Sequence, residues 1–176
     1  MGELNLEELC VVMSYSSDEE KRIRAARKAI EIYVGKGRYE PLGRLAEDEK
    51  LPEKVREKAG MEAVKGYTKE GRYEDLERLA KNKRVLEGVR KEAGMELIKC
   101  YVGKGWYGVL GALATNKIVP REVREKAGMD AVKGYLEKGM YRNLEELAKN
   151  KRVLEVVREK ARSELGRVAD ELALRL

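Results

Sequence analysis

The sequence contains no histidine, phenylalanine or glutamine, and it has only two cysteines and three prolines among 176 residues. Zinc sites are built from cysteine, histidine and carboxylate ligands, and Cys10 and Cys100 lie far apart in the chain. We therefore expect no metal and no cofactor. Both cysteines follow helical patterns beside apolar neighbours, which predicts buried, reduced thiols.

Long apolar runs are also missing. No stretch approaches the ~20 apolar residues of a membrane-spanning helix, and the N-terminal residues are acidic where a signal peptide would be basic. These features predict a cytoplasmic protein without membrane contact. Hydrophobic residues make up 43% and charged residues 40% of the chain, which indicates a folded protein with a densely charged surface.

The charge composition limits the choice of partners and suggests a source. The net charge of +6 is a mild basic excess and does not alone indicate nucleic-acid binding. Abundant lysine, arginine and glutamate with few thermolabile residues is typical of hyperthermophiles.

Signals for catalysis are scarce. The chain has no glycine-rich phosphate loop after a strand and no serine or cysteine placed beside a base. Its carboxylates recur near lysine or arginine at the spacing of helical surface pairs. We expect neither an enzyme nor a small-molecule substrate.

The dominant feature is a repeat of 34 residues, seen in four independent sets of positions. The sets are Tyr33, Tyr67, Tyr101 and Tyr135; Gly37, Gly71, Gly105 and Gly139; Tyr39, Tyr73, Tyr107 and Tyr141; and Val55, Val89, Val123 and Val157, each followed by arginine.

Each repeat has the pattern of a long helix, a glycine turn and a short helix. Pro52 and Pro120 mark the first turn of two long helices, and Gly71 marks the end of one, where glycine takes the left-handed conformation easily. At the N-terminus, Ser17 and Glu20 form a plausible capping box.

These patterns predict an all-α fold, an α-solenoid of about four helix-turn-helix repeats in a single domain. The expected bounds are a capping helix at 4–15, repeats at 18–50, 51–84, 85–118 and 119–152, and a capping helix at 153–176, all within a domain of 1–176.

Two families resemble parts of the repeat. The turn Tyr67-x3-Gly71-x-Tyr73-x2-Leu76 resembles that of tetratricopeptide (TPR) repeats, and Val55-Arg56-x2-Ala59 is similar to the start of HEAT-like repeats. The chain departs from TPR repeats in its long first helix, its short second helix and a missing proline. The resemblance implies a non-catalytic adaptor or scaffold.

Two of the recurring sets invite a functional interpretation. The tyrosines could stack on nucleic-acid bases, but a packing requirement repeated in each unit also produces such a set, and we favour packing. The arginine set, Arg56, Arg90, Arg124 and Arg158, lies within the apolar arc of its helix. We expect these arginines to pair with carboxylates of neighbouring repeats, with an anion-binding row as the alternative.

The loops after the short helices are basic. Stacked repeats would place these loops on one edge, which could contact RNA or an acidic partner or could simply be a solvated rim. The residues concerned are Lys81, Lys83, Arg84, Lys117, Lys149, Lys151 and Arg152.

The third repeat breaks the regular pattern on its short helix. Where the second repeat has Arg72, Glu74, Asp75, Glu77 and Arg78, the third has Trp106, Gly108, Val109, Gly111 and Ala112. Because these positions are predicted to face outward, the change points to a protein interface anchored by tryptophan.

The occupant of that interface remains open, either a second copy in a homodimer or a different protein. The sequence thus favours a protein-binding scaffold that self-associates through the third repeat. The alternative is a factor that binds a ribosomal subunit or RNA through its basic loops.

Overall fold

In a computed structural model, residues 4–176 form ten α-helices and no β-strand, which confirms the predicted all-α fold. The structure describes these residues. The helices are α1 (Leu6–Tyr15), α2 (Glu19–Gly35), α3 (Tyr39–Glu47), α4 (Glu53–Glu70), α5 (Tyr73–Lys81), α6 (Glu87–Lys104), α7 (Tyr107–Thr115), α8 (Arg121–Glu137), α9 (Tyr141–Lys149) and α10 (Glu155–Ala173).

Long and short helices alternate along the chain, and consecutive helices pack in pairs, as a 34-residue helical repeat requires. The described residues form two compact units, 4–93 and 94–176, and α6 contributes residues to both. In the first unit α1 packs on α2 and α3 packs on α4. In the second, α7 packs on α8, while α10 packs on α9 and α8. The short helices α3 and α9 each contact the following long helix more extensively than the preceding one.

The glycine turns end the long helices as the sequence predicts. Gly37, Gly71, Gly105 and Gly139 all have φ between 63° and 69°, a conformation that side chains other than glycine rarely adopt. The residue after each glycine donates its backbone N–H to the carbonyl of the recurring tyrosine, for example Trp106 to Tyr101 at 2.9 Å. This Schellman-type bond satisfies a carbonyl that the helix end would leave without a partner.

Helix starts follow the sequence less closely. Pro52 and Pro120 occupy the capping position just before α4 and α8, where the missing N–H has no helical partner. The capping box expected at Ser17 is wrong. Asp18 caps α2 instead, because its carboxylate accepts the Lys21 N–H at 3.1 Å. A capping box does occur on α1, between Asn5 and Glu8.

Paired glycine and valine positions bring neighbouring long helices close together. A Cβ added to Gly60 would lie 2.6 Å from Val89, and one on Gly128 would lie 2.7 Å from Val157. The same contact joins Gly94 to Val123. These valines are fully or almost fully buried, so the recurring valine set forms the core between adjacent repeats.

The two cysteines are half-buried and free, so the prediction that they are buried is wrong. The Cys10 thiol lies 3.6 Å from the Tyr33 hydroxyl. Partial burial raises the pKa of the Cys100 thiol, which keeps it in the less reactive protonated form.

Candidate protein interface

Trp106 occupies the capping position before α7 and contacts two residues at the end of α6. The ring centroids of Trp106 and Tyr101 lie 5.8 Å apart, and the Lys104 ammonium lies 4.6 Å from the indole centroid. Arginines occupy the equivalent place in two other repeats, where Arg38 and Arg72 lie over their own tyrosines. Trp106 therefore substitutes for a packing arginine, yet it remains 46% exposed.

The other predicted interface residues separate into exposed and buried positions. Gly108, Val109 and Ala112 are exposed, and we call them, together with Trp106, the α7 surface. Gly111 is buried, so its expected outward orientation is wrong. A Cβ added there would lie 2.5 Å from the Tyr135 hydroxyl, and Gly111 thus makes room for a side chain of α8.

A groove of about 250 Å³ runs between α7 and α9, and Tyr135 of α8 contributes to its lining. We call it the α7–α9 groove. Trp106 and Val109 lie outside it, whereas the small residues of α7 line it. Its lining residues are Gly108, Gly111, Ala112, Thr115, Tyr135, Asn143, Glu146, Leu147 and Asn150. The five predicted interface residues thus belong to two adjoining features and not to one stripe.

The Tyr135 hydroxyl reaches this groove from a side chain that is only 4% exposed. Burial raises its pKa, and the nearby Glu146 carboxylate raises it further. Burial also raises the pKa of Tyr67, the equivalent residue of the first unit, but there Arg78 and Arg72 act in the opposite direction. The Tyr67 hydroxyl donates to the Tyr39 carbonyl at 3.2 Å. No hydrogen bond involves the Tyr135 hydroxyl within residues 4–176.

Two further apolar residues of the third repeat are exposed, and sequence reasoning missed both. Val102 at the end of α6 is 39% exposed, and Ile118 in the loop after α7 is 41% exposed. Val102 corresponds to Thr68 and Leu136 in neighbouring repeats, and Ile118 corresponds to Arg84 and Arg152. Isoleucine at a position where the neighbouring repeats have arginine was the sequence signal that could have identified Ile118.

Two members of the arginine set, Arg56 and Arg124, form hydrogen bonds to backbone carbonyls, so the expected pairing with carboxylates of neighbouring repeats is wrong for both. Arg124 Nε donates to the Ala114 carbonyl at 3.3 Å, and its Nη2 donates to the Arg152 carbonyl at 2.6 Å. Arg56 bonds the Ala46 and Arg84 carbonyls in the same way. The first carbonyl belongs to the end of a short helix, where backbone acceptors lack helical partners. The second belongs to the loop that follows the next short helix.

The corresponding arginines at the two ends of the array form different contacts. Arg22, which sequence reasoning did not include in the set, donates to the Ser16 carbonyl after α1 at 2.8 Å. Arg158 pairs with Glu155 of its own helix. We therefore interpret the bridging arginines as part of the scaffold rather than as an anion-binding row.

The basic loops contain both paired and unpaired side chains. Lys81 and Lys149 form ion pairs with the glutamates one turn earlier, Glu77 and Glu145. The remaining side chains are exposed and form no ion pair in the part of the chain that the structure describes: Lys83, Arg84, Lys117, Lys151 and Arg152.

Each of these loops is locally ordered. The side-chain oxygens of Asn82, Asn116 and Asn150 accept the backbone N–H two residues later, each at 3.0 Å. Such turns hold the loop backbone in a fixed conformation.

The first tyrosine set and two members of the second, Tyr39 and Tyr107, serve packing, whereas Tyr141 is exposed. Tyr33, Tyr67, Tyr101 and Tyr135 are buried, which is incompatible with stacking on bases. In the other set, a Cβ on Gly134 would lie 2.0 Å from the Tyr107 ring, and Gly66 has the same relation to Tyr39.

No cluster of three or more potential metal-ligating side chains occurs within residues 4–176. Over the same range, no helix is both long and apolar enough to span a membrane. Comparison with protein-family models, curated proteins and solved structures gave no match to the chain.

Proposed function

We propose that the chain is a non-enzymatic protein-binding scaffold and that the α7 surface is its docking site. The exposure of Trp106 supports this most directly, because no other repeat has an aromatic residue at this position. Tryptophan is a favoured anchor of protein interfaces. Exposed Val109 lies one helical turn away, and the flanking Gly108 and Ala112 let another backbone approach closely.

We further propose that a second copy of the chain occupies this surface in a homodimer. A two-fold interface brings the same patch of both copies together, so a small apolar surface is buried twice. The composition of the third repeat supports this, since five charged positions of the second repeat are replaced there by Trp106, glycines, valine and alanine.

Replacing Trp106 should weaken self-association by about thirtyfold or more, because an interface anchor contributes about 2 kcal/mol or more. Trp106→Glu places a charge in the interface. Trp106→Arg introduces the residue that the first and second repeats place over their tyrosine ring. It therefore removes the apolar indole and retains the packing on Tyr101. The dissociation constant is measured by sedimentation equilibrium, with circular dichroism as a check of helix content.

The matched control is Tyr15→Arg, which makes the same change at an aromatic side chain that is 84% exposed on α1. It should leave the dissociation constant unchanged. A wild-type chain that remains monomeric at high concentration would rule out the homodimer. In that case, protein partners captured by wild type and lost with Trp106→Arg would identify a different protein as the occupant.

We propose a second candidate function, binding to RNA or a ribosomal subunit through the basic loops. The observation that favours it is that Lys117, Lys151 and Arg152 are exposed without ion pairs, while many other lysines of the helices are paired. The loop of Lys151 and Arg152 is held in place by the Asn150 turn and the Arg124 bridge, and the loop of Lys117 is held by the Asn116 turn. Such cations can lie along phosphates and release counterions on binding.

The substitutions Lys83→Glu, Lys117→Glu and Lys151→Glu together test this candidate. The slope of log K against log salt for an RNA duplex should become shallower by about 3, since each phosphate contact contributes about one unit. Lys21, Lys65 and Lys133, all ion-paired, provide the control triple with the same charge change. RNA binding that is insensitive to salt, or equal in the two triples, would exclude the basic loops as the contact.

Finer assignments are part of the same proposal. We propose a cytoplasmic location for the protein. We also propose that it belongs among the TPR-like and HEAT-like repeat proteins, on the grounds of the turn and helix-start motifs. The abundance of paired lysine, arginine and glutamate on the helices supports a hyperthermophilic source.

A further inference from the structure

We propose that the α7–α9 groove binds an arginine side chain of a different protein. The inference rests on the proposed function in one respect, namely that the chain is a protein-binding scaffold. The inference goes further in specifying an arginine side chain as the group by which a partner protein binds beside the α7 surface.

The first unit shows what this type of groove accommodates. There Gly43 corresponds to Gly111, and Tyr67 corresponds to Tyr135. The Arg78 guanidinium lies 3.6 Å from where a Gly43 Cβ would be, and the Tyr67 hydroxyl lies 2.9 Å from the same point. A guanidinium of the chain itself therefore occupies the space beside the glycine and the tyrosine hydroxyl. Asp75 pairs with it at 3.4 Å.

The second unit keeps the glycine and the tyrosine but lacks this arginine. Glu146 stands at the position of Arg78, and Ala112 stands at the position of Arg44. The space that arginine fills in the first unit is an open groove in the second, lined by a carboxylate instead of a cation. The ligand that fits this groove is therefore a guanidinium, which the second unit lacks and another molecule would supply.

The polar atoms of the groove suit a guanidinium donor. The Tyr135 hydroxyl has no hydrogen-bond partner in the described part of the chain, although its side chain is almost completely buried. Because Tyr135 lines the open groove, its hydroxyl can accept a hydrogen bond from a donor that enters there. Thr115 donates its own hydroxyl to the Ala112 carbonyl at 2.8 Å and can therefore accept a further hydrogen bond. Asn143 adds an amide oxygen.

The charge in the groove selects for a cation. Glu146 is the only ionisable carboxylate among the lining residues, and Arg142 Nε contacts just its Oε1 atom, at 3.4 Å. That ion pair is exposed and therefore weak, so an incoming cation can replace it. Arginine is favoured over lysine because its planar group donates several hydrogen bonds at once, to carboxylate, hydroxyl and amide oxygens together.

The size of the groove limits what enters. A volume of about 250 Å³ accepts one long side chain but not a helix. The groove therefore takes up the arginine side chain alone, and the backbone that carries it lies outside the groove.

The test titrates the ¹⁵N-labelled protein with the blocked peptide acetyl-Gly-Arg-Gly-amide and follows the backbone amide signals by NMR. We expect saturable shifts at Gly108, Gly111 and Tyr135, with a dissociation constant of about 1 mM, as suits a single side chain. The same peptide with citrulline, which is isosteric but uncharged, should bind at least about tenfold more weakly, a difference of about 1.4 kcal/mol.

Two variants locate the contact. Glu146→Gln should weaken binding of the arginine peptide by about tenfold, since it removes a charge-assisted hydrogen bond. Ala112→Arg should abolish it, because it introduces the guanidinium that the first and second repeats carry at this position, in Arg44 and Arg78. Glu145→Gln, on the same helix but paired with Lys149, should change nothing.

Equal binding of the citrulline peptide, or unchanged affinity in Glu146→Gln, would overturn the inference, as would the absence of saturable shifts up to about 20 mM, well above the expected dissociation constant. These outcomes are separate from the test of the α7 surface. Trp106→Arg should keep peptide binding while it loses self-association. If self-association fails but the peptide still binds, the homodimer is excluded and the groove stands.

Discussion

Gly134→Ala should destabilise the protein by about 3 kcal/mol, at the upper end of the range for overpacking a core. The added Cβ would lie 2.0 Å from the Tyr107 ring, where no ordinary contact is possible. Either the ring must leave its place at the start of α7 or α8 must shift away from it. Gly66→Ala should repeat the effect in the first unit, because Tyr39 lies over Gly66 at the same distance.

The control for this prediction is Gly103→Ala. Gly103 is an exposed residue of α6 with nothing within 4 Å of an added Cβ. Alanine there should stabilise the protein by about 0.5–1 kcal/mol through helix propensity alone. Chemical unfolding followed by circular dichroism measures both variants. Equal effects of the two substitutions, or a stabilising effect of alanine at Gly134, would show that the tyrosine–glycine contact does not constrain the packing.

Arg124→Leu should destabilise the protein by about 2–3 kcal/mol, because two backbone carbonyls lose hydrogen bonds to a charged donor. The leucine keeps the apolar stem, so the loss reports the bridge between the Ala114 and Arg152 carbonyls. Arg124→Lys should lose only part of this stability, because one ammonium cannot reproduce the two-sided geometry of the guanidinium.

Arg121→Leu serves as the comparison, since this exposed residue of α8 forms no ion pair in the described range. Its effect should stay below about 0.5 kcal/mol. Amide hydrogen exchange gives a second measure. In Arg124→Leu, exchange should accelerate in the loop around Arg152 and at the end of α7. A destabilisation of the same size in both variants would contradict the bridge.

The sequence predicted the elements of the repeat well, since glycine and proline have strong local effects. Gly71 requires a left-handed conformation and Pro52 lacks an N–H, so each marks a helix end without reference to the rest of the chain. Asp18 was missed as a cap because Ser17 is an equally good capping residue, and only the backbone conformation distinguishes them.

Contacts between helices were harder to predict. Helical spacing correctly placed Arg124 in an apolar arc. It predicts only which side chains share a helix face, however, and the hydrogen-bond acceptors of Arg124 are backbone carbonyls at the end of α7 and in a later loop. The expectation of a carboxylate followed from side-chain charges alone.

The candidate site was recognised from the sequence because the third repeat departs from the others. Its division into the α7 surface and the α7–α9 groove was not predicted. Counting positions on one helix placed Gly111 outside, whereas the approach of α8 brings the Tyr135 hydroxyl over it. Which side of a short helix the next long helix covers depends on packing that the sequence of the short helix does not contain. The groove and its open hydroxyl could therefore emerge only from the structure.

The bridging arginines also bear on how such a chain can change its length during evolution. Arg56 and Arg124 bind main-chain oxygens, which every residue type provides, so neither bridge depends on a matching side chain in the neighbouring repeat. A duplicated repeat would arrive with its own arginine and find its acceptors already present. Repeats joined in this way can be added or lost by recombination without compensating mutations, which leaves their outer surfaces free to diverge one at a time.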